Sequence, residues 1–330
     1  MDEWQEGEKM DMCRRRFLVT SALAPLAFTG ACSVPPPLTR VGGHLWIGYE
    51  PLFLARELGL YDPDTLRLVE MPSSTANLMA LATGDVEAAT FTLDEYLLAR
   101  EGGLDVRVIL VFDDSAGADV IMSRPGIERL EDIKGERIGV EETAAGALML
   151  AKVLEKTALA PDDVVTVRIT GDRHVQAYLA GEVDVLISWE PYATQLQAQG
   201  ARRLFDSRQL PGLIVDVLVA RADALERTPD AFRNLLAGHF QALDYLRTSP
   251  DDAFRRMAPR MGMSPDEVRV AQQGIRLMDL AANRGWLAGS HPGLVSSADT
   301  VARVMVAGNL LKRFPSLEGL VDPSFLPGSA

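Results

Sequence analysis

The chain has 330 residues but few of the side chains that metal and thiol chemistry require. It contains two Cys, too few for a disulfide framework or a four-Cys zinc site, and four His without the spacing of a ligand pair. Basic residues are also scarce, because 33 Lys and Arg stand against 46 Asp and Glu, a formal net charge of −13. This balance argues against a broad nucleic-acid-binding surface. We therefore expect no metal ion, no cofactor and no nucleic-acid partner.

The sequence also lacks an apolar run long enough for a comfortable membrane span. The apolar stretch Phe17–Ala31 follows Arg14–Arg16 and is shorter than the ~20 residues that a span needs. Basic residues ahead of a short apolar stretch are typical of an export signal, and the Arg-rich run resembles a twin-arginine signal. We predict an export signal over residues 1–31, with its true start at Met10 or Met12 because an acidic prefix is atypical.

Cys32 stands directly after the predicted export signal. It follows the small residues of Thr29–Ala31, which resemble a bacterial lipobox, although a Leu is usual where Thr29 stands. The Cys of a lipobox is lipidated and becomes the mature N-terminus. Residues 32–43 are then predicted to be an exposed tether, because three consecutive Pro favour an extended backbone. The alternative interpretation is a short buried helix with an incidental Cys.

From residue 44 onward, strand-like and helix-like segments alternate in a pattern that occurs twice. Ile138–Glu141 matches Ile47–Glu50 at an offset of 91, and Gly181–Asp184 matches Gly84–Glu87 at an offset of 97. Both copies read strand, helix, strand, loop, helix, strand, and the first strand of the first copy is predicted over residues 44–50. A duplicated α/β unit predicts two similar, mostly parallel sheets that face each other across a cleft. Ligands bind such sheets beyond the carboxyl ends of the strands.

Two strand-like runs, 117–124 and 212–221, lead out of the two units and predict crossovers between two lobes. We therefore predict lobe I from residues 44–121 and 216–330, and lobe II from residues 122–215. The last part of the chain is rich in predicted helices, three of which begin at Pro. They are Pro229–Arg247, Pro250–Met261 and Pro265–Ala282. We expect this helical tail to pack on lobe I.

Four motifs occur in order at predicted loop positions, namely Trp46–Leu52, Asp113–Asp119, Ile138–Glu141 and Ser188–Pro191. Together they resemble the periplasmic substrate-binding proteins of ABC importers, of the nitrate/sulfonate/taurine and thiamine-precursor type. The resemblance implies an α/β fold of the type II periplasmic-binding-protein kind, with two α/β lobes joined by two crossover strands and a helical C-terminal tail. It also implies a monomeric, lipid-anchored protein of the periplasm or the outer face of the cytoplasmic membrane. Such a protein is not an enzyme; it captures a small nitrogen- or sulfur-containing solute and delivers it to a permease and ATPase.

Twelve candidate ligand-binding residues lie at strand ends and helix starts, where a cleft needs an aromatic wall and a few directed polar groups. The candidates of the first unit are Trp46, Tyr49, Glu50, Ser73, Ser74, Thr92, Asp114 and Ser115. Those of the second unit are Glu141, Asp172, Trp189 and Glu190. Structural alternatives stay open: Trp46 is equally a core residue, the Ser residues are equally helix caps, and Glu141 is equally a favourable charge at a helix start.

Acidic residues outnumber basic ones in the predicted cleft loops. The acids are Glu50, Asp114, Asp119, Glu141, Glu142, Asp172 and Glu190, and the basic candidates are Arg173 and His174. An unpaired carboxylate in a closed cleft would repel nitrate or sulfonate. The charge balance therefore favours a cationic or nitrogen-rich ligand, such as an amine or a pyrimidine.

Two other functions remain alternatives to a transport protein. An enzyme on the same two-lobed scaffold would need a nucleophile, a base and an electrophile that converge at the cleft. The sequence has no GxSxG motif, and no Cys follows Cys32. A ligand sensor with a non-ABC partner would close around its ligand in the same way.

Overall fold

The chain alternates strand and helix throughout the part that the computed structural model describes, residues 37–141 and 145–328. The predicted export signal, its alternative start sites and the predicted lipidation site Cys32 lie outside the described residues. Within them, no helix is both long and apolar enough to cross a membrane.

The first sheet has six strands in the order β11-β4-β10-β3-β1-β2. They are β1 (Thr39–Gly43), β2 (Leu66–Glu70), β3 (Ala88–Thr92), β4 (Val106–Ser115), β10 (Val215–Arg221) and β11 (Ile275–Leu277). β1 pairs in parallel with β2 and β3, whereas β10 pairs antiparallel with β3 and β4. The central strands β4 and β10 are almost continuously buried because helices cover both faces of the sheet.

The second sheet has five strands in the order β7-β6-β8-β5-β9. They are β5 (Asp119–Ser123), β6 (Arg137–Val140), β7 (Val165–Arg168), β8 (Val185–Trp189) and β9 (Arg202–Asp206). β6 pairs in parallel with β7 and β8, and β5 pairs antiparallel with β8 and β9. Each sheet thus combines parallel strands with an antiparallel strand that arrives from a crossover.

Helices surround both sheets. They are α1 (Glu50–Glu57), α2 (Ser74–Thr83), α3 (Leu93–Glu101), α4 (Ala145–Thr157), α5 (His174–Ala180), α6 (Tyr192–Ala198), α7 (Ala222–Arg227), α8 (Pro229–Thr248), α9 (Pro250–Met261), α10 (Pro265–Gln272), α11 (Leu280–Leu287) and α12 (Gly293–Ala307). The C-terminal helices join the core of the first sheet, where α8 packs on α1 and α12 packs on α3. The helix predicted to run to Ala282 ends at Gln272, because the following residues pair with β4 as β11.

The chain passes from the first sheet to the second between Ser115 and Asp119, and returns between Asp206 and Val215. We use lobe I for the part built on the first sheet and lobe II for the part built on the second. Strand pairing places Asp119–Ile121 in the second sheet, slightly ahead of the predicted lobe II start at residue 122. The described residues therefore form the two-sheet α/β architecture with a helical C-terminal part that the sequence predicted.

The first strand differs from its prediction. Residues 44–50 were predicted to be a strand after a tether, but they form a bend, a 3₁₀ helix (Ile47–Tyr49) and the first residue of α1. The strand is Thr39–Gly43, so the predicted tether 32–43 is wrong over these residues. Two Gly weaken the local strand signal, yet they are needed. A Cβ on Gly42 would lie 2.3 Å from Asn77 Oδ1, and one on Gly43 would lie 2.9 Å from Phe53 Cζ.

The duplication has an offset of 97 residues at the first and third strands of each unit. Val41 pairs with Ala88 in the first sheet, and Ile138 pairs with Val185 in the second, so β1 corresponds to β6 and β3 to β8 at that offset. The predicted match of Ile47–Glu50 with the start of the second unit is therefore wrong, because those residues follow β1 rather than form it.

An ion pair repeats at the same offset. Arg40 binds Glu87 through its guanidinium, and the backbone N–H of Arg40 donates to the same carboxylate at 2.8 Å. Arg137 binds Asp184 in the same way, with its backbone N–H 3.2 Å from Asp184 Oδ2. In both lobes this contact ties the first strand of the unit to the loop ahead of the third.

Candidate ligand-binding cleft

A small cavity lies between the lobes and has a volume of about 20 Å³. Its wall consists of His44, Trp46, Ser74, Thr92, Asp119, Ala145, Trp189 and Asp216. Thr92 ends β3 and Trp189 ends β8, so the parallel strands present their carboxyl ends to it. The antiparallel strands β5 and β10 begin at the cavity. Asp119 is the first residue of β5, and Asp216 is the second residue of β10. Both lobes therefore enclose the cavity.

Tryptophans from the two lobes form its aromatic wall. Trp46 of lobe I donates its Nε1–H to Asp113 Oδ2 at 3.2 Å. Trp189 of lobe II donates its Nε1–H across the cleft to the carbonyl of Leu45 at 3.0 Å. The His44 ring packs edge-on against Trp189, with centroids 6.2 Å apart. These contacts hold both indole rings at the cavity with their N–H groups already bonded.

Two glycines make room for this wall. A Cβ on Gly48 would lie 1.8 Å from Asp113 Oδ2 and 2.4 Å from Trp46 Nε1. A Cβ on Gly171 would lie 2.5 Å from Trp189 Cζ2. Any larger residue at either position would displace a group that shapes the cavity.

Buried carboxyl groups gather around the cavity. Asp113 and Asp216 stand directly opposite each other on β4 and β10, an arrangement that like charges disfavour. Tyr49 donates its hydroxyl to Asp216 Oδ1 at 2.5 Å. The other oxygen of Asp216 and the Oδ2 of Asp119 have no hydrogen-bond partner, although these residues are only 2% and 5% exposed.

Burial shifts the proton affinity of these acids. It raises the pKa of Asp119 to about 7 and that of Asp113 to about 8, and nearby carboxylates add to both shifts. Burial, with the charges of Asp113 and Asp119, also raises the pKa of Asp216 well above its usual range. Beside them, burial raises the pKa of Asp94 to about 6, and burial with the charge of Asp94 raises the pKa of Glu95 well above its usual range.

His44 contributes an uncharged ring to the cavity wall. Burial, assisted by the charge of Arg260, lowers the pKa of His44 to about 3. Its Nδ1 has no hydrogen-bond partner within the described part of the chain. The histidine therefore supplies no positive charge to balance the carboxyl groups at neutral pH.

The N-terminus of α2 is occupied by the chain itself. Ser73 caps the helix by accepting from the N–H of Ala76 at 3.1 Å. Glu141 of lobe II reaches across the cleft, and its Oε1 accepts from the N–H and hydroxyl of Thr75 at 2.8 and 2.6 Å. Its Oε2 accepts from the N–H of Gly171 at 2.8 Å. One carboxylate thus joins the two lobes at a position that the sequence suggested for an anion.

Four of the twelve predicted site residues lie on the cavity wall: Trp46, Ser74, Thr92 and Trp189. Ser74 donates its hydroxyl to Glu95 in a short hydrogen bond. The carboxylate of Glu95 also accepts from the N–H of Thr92 at 2.9 Å.

Three other predicted residues of lobe I have structural partners instead. Tyr49 is fully buried and supports Asp216 without lining the cavity, and Ser73 is a helix cap. Glu50 forms a buried ion pair with Arg260. The prediction for Glu50 is wrong because this residue begins a helix that directs its side chain at α9 rather than at the cleft.

The remaining predicted residues also lie off the cavity wall. Asp114 pairs with Arg276, and the Ser115 hydroxyl lies 2.8 Å from that of Ser207, joining the two crossovers. Glu190 accepts from the N–H of Thr194 at 3.0 Å and lies 3.6 Å from Arg203. Asp172 is exposed, and Glu141 bridges the lobes as described above.

The sequence prediction omitted His44 and Asp216, and weighed Asp119 only as one of several acids. A signal for Asp216 was present, because it is the single charge inside the apolar run 212–220. An acid within a predicted buried strand needs a partner or a function. Within the described residues, no group of three or more His, Cys, Asp or Glu is placed to hold a metal ion.

A search for relatives by sequence found the taurine-binding periplasmic protein of Escherichia coli (strain K12). It is 24% identical over 182 residues, which are 54% of this chain and 57% of that protein. The match therefore spans little more than half the length of this relative.

Solved structures share the fold at low sequence identity. The alkanesulfonate-binding protein SsuA from Xanthomonas axonopodis pv. citri, bound to MOPS, superposes with a TM-score of 0.73 at 19% identity, covering 86% of this chain and 97% of that one. The desulfurization enzyme DSZB superposes with a TM-score of 0.63 at 21% identity, covering 88% of this chain and 98% of that one. One architecture thus serves a binding protein and an enzyme.

The model of the family described as NMT1/THI5 like matches residues 46–253 of this chain. This range includes strands β2 to β10, and therefore all of lobe II and both crossovers. It contains every residue that lines the cavity except His44. The chain belongs to the NMT1/THI5-like family.

Proposed function

We propose that this protein is the substrate-binding component of an ABC importer, which captures a small nitrogen- or sulfur-containing solute and delivers it to a permease and ATPase. One observation carries the proposal: the cavity is enclosed by side chains from both lobes, with one Trp from each. The names of the taurine-binding and alkanesulfonate-binding relatives support it.

Closure of the lobes would couple binding to delivery. A solute that contacts both Trp46 and Trp189 favours the closed arrangement only through contacts that the open one lacks. The contacts of Trp189 with Leu45 and of Glu141 with Thr75 cross the cleft and would form during closure. The crossovers, joined at Ser207, supply a hinge.

The site favours binding over catalysis. The cavity wall contains no Cys, and the hydroxyl of its Ser74 donates to Glu95. The Ser188 hydroxyl lies 2.9 Å from His174 Nδ1, but both residues are fully buried and neither of them lines the cavity. Nucleophilic catalysis needs a nucleophile hydrogen-bonded to a base that is itself oriented by a third group. The fold shared with DSZB keeps an enzyme, or a sensor with another partner, as the alternative.

We further propose that Cys32 is lipidated after export, because the small residues directly ahead of it resemble those of a lipobox. The mature protein would then be anchored in the periplasm or at the outer face of the cytoplasmic membrane. Incorporation of a radiolabelled fatty acid into wild type and not into Cys32→Ser tests this assignment. Equal labelling of the two proteins would refute it.

Release of a co-purified solute tests the central proposal. The exported protein is purified without dialysis, denatured, and its small molecules are identified by mass spectrometry. We expect one nitrogen- or sulfur-containing compound that, when added back, raises the melting temperature and is recovered unchanged. Recovery of a converted product would support the enzyme, and the absence of any stabilising compound would contradict solute binding.

A further inference from the structure

The polar atoms of the cavity wall that have no hydrogen-bond partner indicate which groups a ligand would need. Four atoms of cavity-lining residues have no hydrogen-bond partner in the described part of the chain, namely Asp119 Oδ2, Asp216 Oδ2, His44 Nδ1 and Thr92 Oγ1. The Thr92 hydroxyl can either donate or accept. The neutral His44 has one N–H and one acceptor nitrogen, and a carboxyl group is a pure acceptor only when it is ionised. Because burial raises the pKa of Asp216 well above its usual range, a bound cation would replace the proton of this acid. The indole N–H donors of the wall are already used by Asp113 and the carbonyl of Leu45. The unsatisfied carboxylate oxygens therefore call for donors on the ligand.

Charge points the same way. Five buried acids surround the cavity: Asp94, Glu95, Asp113, Asp119 and Asp216. No ion pair among residues 37–141 and 145–328 includes any of the five. Buried acids just outside the cavity do have cations, since Glu50 pairs with Arg260 and Asp114 with Arg276. The two acids that line the cavity, Asp119 and Asp216, thus differ from Glu50 and Asp114 in having no cation among the described residues.

The helix N-terminus at which an anion would bind is already occupied by a carboxylate of the chain. The N–H of Thr75 at the start of α2 is the group that a sulfonate or nitrate would use, and Glu141 already accepts from it at 2.8 Å. An anion would have to displace this carboxylate and approach Asp119 and Asp216. A cation would instead meet the carboxyl groups of Asp119 and Asp216 in a wall that also contains two tryptophans, and aromatic rings can attract positive charge.

We propose that the cleft selects a small organic cation, whose ammonium, amidinium or guanidinium group donates to Asp216 of lobe I and Asp119 of lobe II. The inference rests on the proposed solute-binding function and names the class of solute. A cation held by both carboxylates joins the lobes and so favours closure. The cavity of about 20 Å³ holds about one water-sized group, so the lobes would have to separate slightly to admit a planar cation.

Two triplets of probes with matched shape test the role of charge. They are acetamidinium, acetamide and acetate, and the planar set guanidinium, urea and nitrate, each titrated by calorimetry at millimolar concentration, with ethanesulfonate as a further anion. We expect only the cation of a triplet to bind. Asp119→Asn and Asp216→Asn should weaken its binding roughly tenfold or more, because each removes a buried charge partner.

The matched control is Asp184→Asn, the same substitution at an ion pair on the edge of lobe II that does not line the cavity. It should bind the cations as the wild type does. Melting temperatures without probe establish that each variant is folded. If Asp216→Asn unfolds because it loses the carboxyl group that binds Tyr49, the Asp119→Asn variant alone tests the inference.

Several results would overturn the inference. They are equal binding of the neutral or anionic members, unchanged cation binding in both cavity variants, or no cation binding at all. Binding of ethanesulfonate alone would refute the cation while leaving the solute-binding function intact. Failure of that function is detected separately, by the absence of a stabilising co-purified compound.

Discussion

The buried acids around the cleft differ in one respect, the presence of a positive partner. Glu50 is bound by Arg260, which also binds Glu70 and lies over the Phe53 ring, 3.4 Å from its centroid. Asp113, opposite Asp216, and Asp119 are just as buried, yet none has an ion pair among the described residues. The first group has structural partners, whereas the second retains unsatisfied oxygens at a cavity.

The difference indicates where this protein gives up stability for function. A buried charge without a partner is unfavourable, and folded proteins retain such groups mainly at functional sites. The paired acids should therefore respond to substitution as structural elements, and the unpaired ones as a binding site. Four experiments test this contrast, in order of decreasing effect.

Removal of a partner from the paired group should be the most damaging change. Arg260→Met leaves Glu50 buried without its cation and should lower the free energy of unfolding by about 3–5 kcal/mol. Urea denaturation measures the loss, and Arg260→Met with Glu50→Gln should recover a large part of it. A loss below about 1 kcal/mol, within the range of exposed pairs, would mean that the ion pair is not structural.

The unpaired acids should make stability fall as the pH rises above 6.5. Burial raises the pKa of Asp113 to about 8 and of Asp119 to about 7, from about 3.9 in the unfolded chain. Their stabilising contribution is complete below pH ~4 and is lost as the pH passes through the folded values. His44, His174 and His239, with pKa values lowered to about 3, oppose this trend only up to about pH 6.5.

We therefore expect a fall of roughly 1 kcal/mol per pH unit for each of these carboxyls that is still protonated, measured by urea unfolding between pH 6.5 and 8. Asp113→Asn should flatten the slope because it removes one titrating group. A stability that is constant or rises over this interval would show that cations do compensate these acids.

Replacement of a buried acid by its amide should change the free energy of unfolding in opposite directions for unpaired and paired acids. Asp119→Asn removes an uncompensated charge and should raise the free energy of unfolding at pH 8 by about 1 kcal/mol. Asp206→Asn removes a buried charge that Arg208 binds, a contact that lowers the pKa of Asp206, and should lower the free energy of unfolding by up to about 1 kcal/mol. Equal signs for both variants, by chemical denaturation without ligand, would remove the distinction between the groups.

The repeated ion pairs provide the smallest effect. Glu87, whose side chain is 10% exposed, binds Arg40, and its duplicate Asp184, at 20%, binds Arg137. Asp184→Asn should change the free energy of unfolding by less than about 1 kcal/mol, as is usual near the surface. Glu87→Gln should cost more because its pair is less accessible to water. The reverse order would show that burial does not set the strength of these pairs.

Much of the fold could be predicted from local patterns. The anchors at Gly84 and Gly181 were found at the correct offset because each Gly ends a helix in the left-handed conformation, which Gly adopts without strain. β1 was missed because Thr39–Gly43 has two Gly and becomes a strand only through its pairing with β2 and β3.

The site was only partly predictable. Trp46, Thr92 and Trp189 were found because aromatic and polar residues at strand ends are typical of clefts. Glu50 and Glu190 fitted the same rule, yet both carboxylates face arginines elsewhere in the fold. Local pattern shows that an acid stands at a strand or helix end, but not which group lies across from it.

The sequence by itself determined the class of fold, the duplicated unit and the acidic character of the cleft, since all three depend on residue type and spacing along the chain. Only the tertiary structure decided which acids are neutralised. Glu50 meets an arginine 210 residues away and Asp114 one 162 residues away, whereas Asp119 and Asp216 meet the cavity. Coulomb energy depends on distance in space and on exclusion of water, and the fold alone sets both.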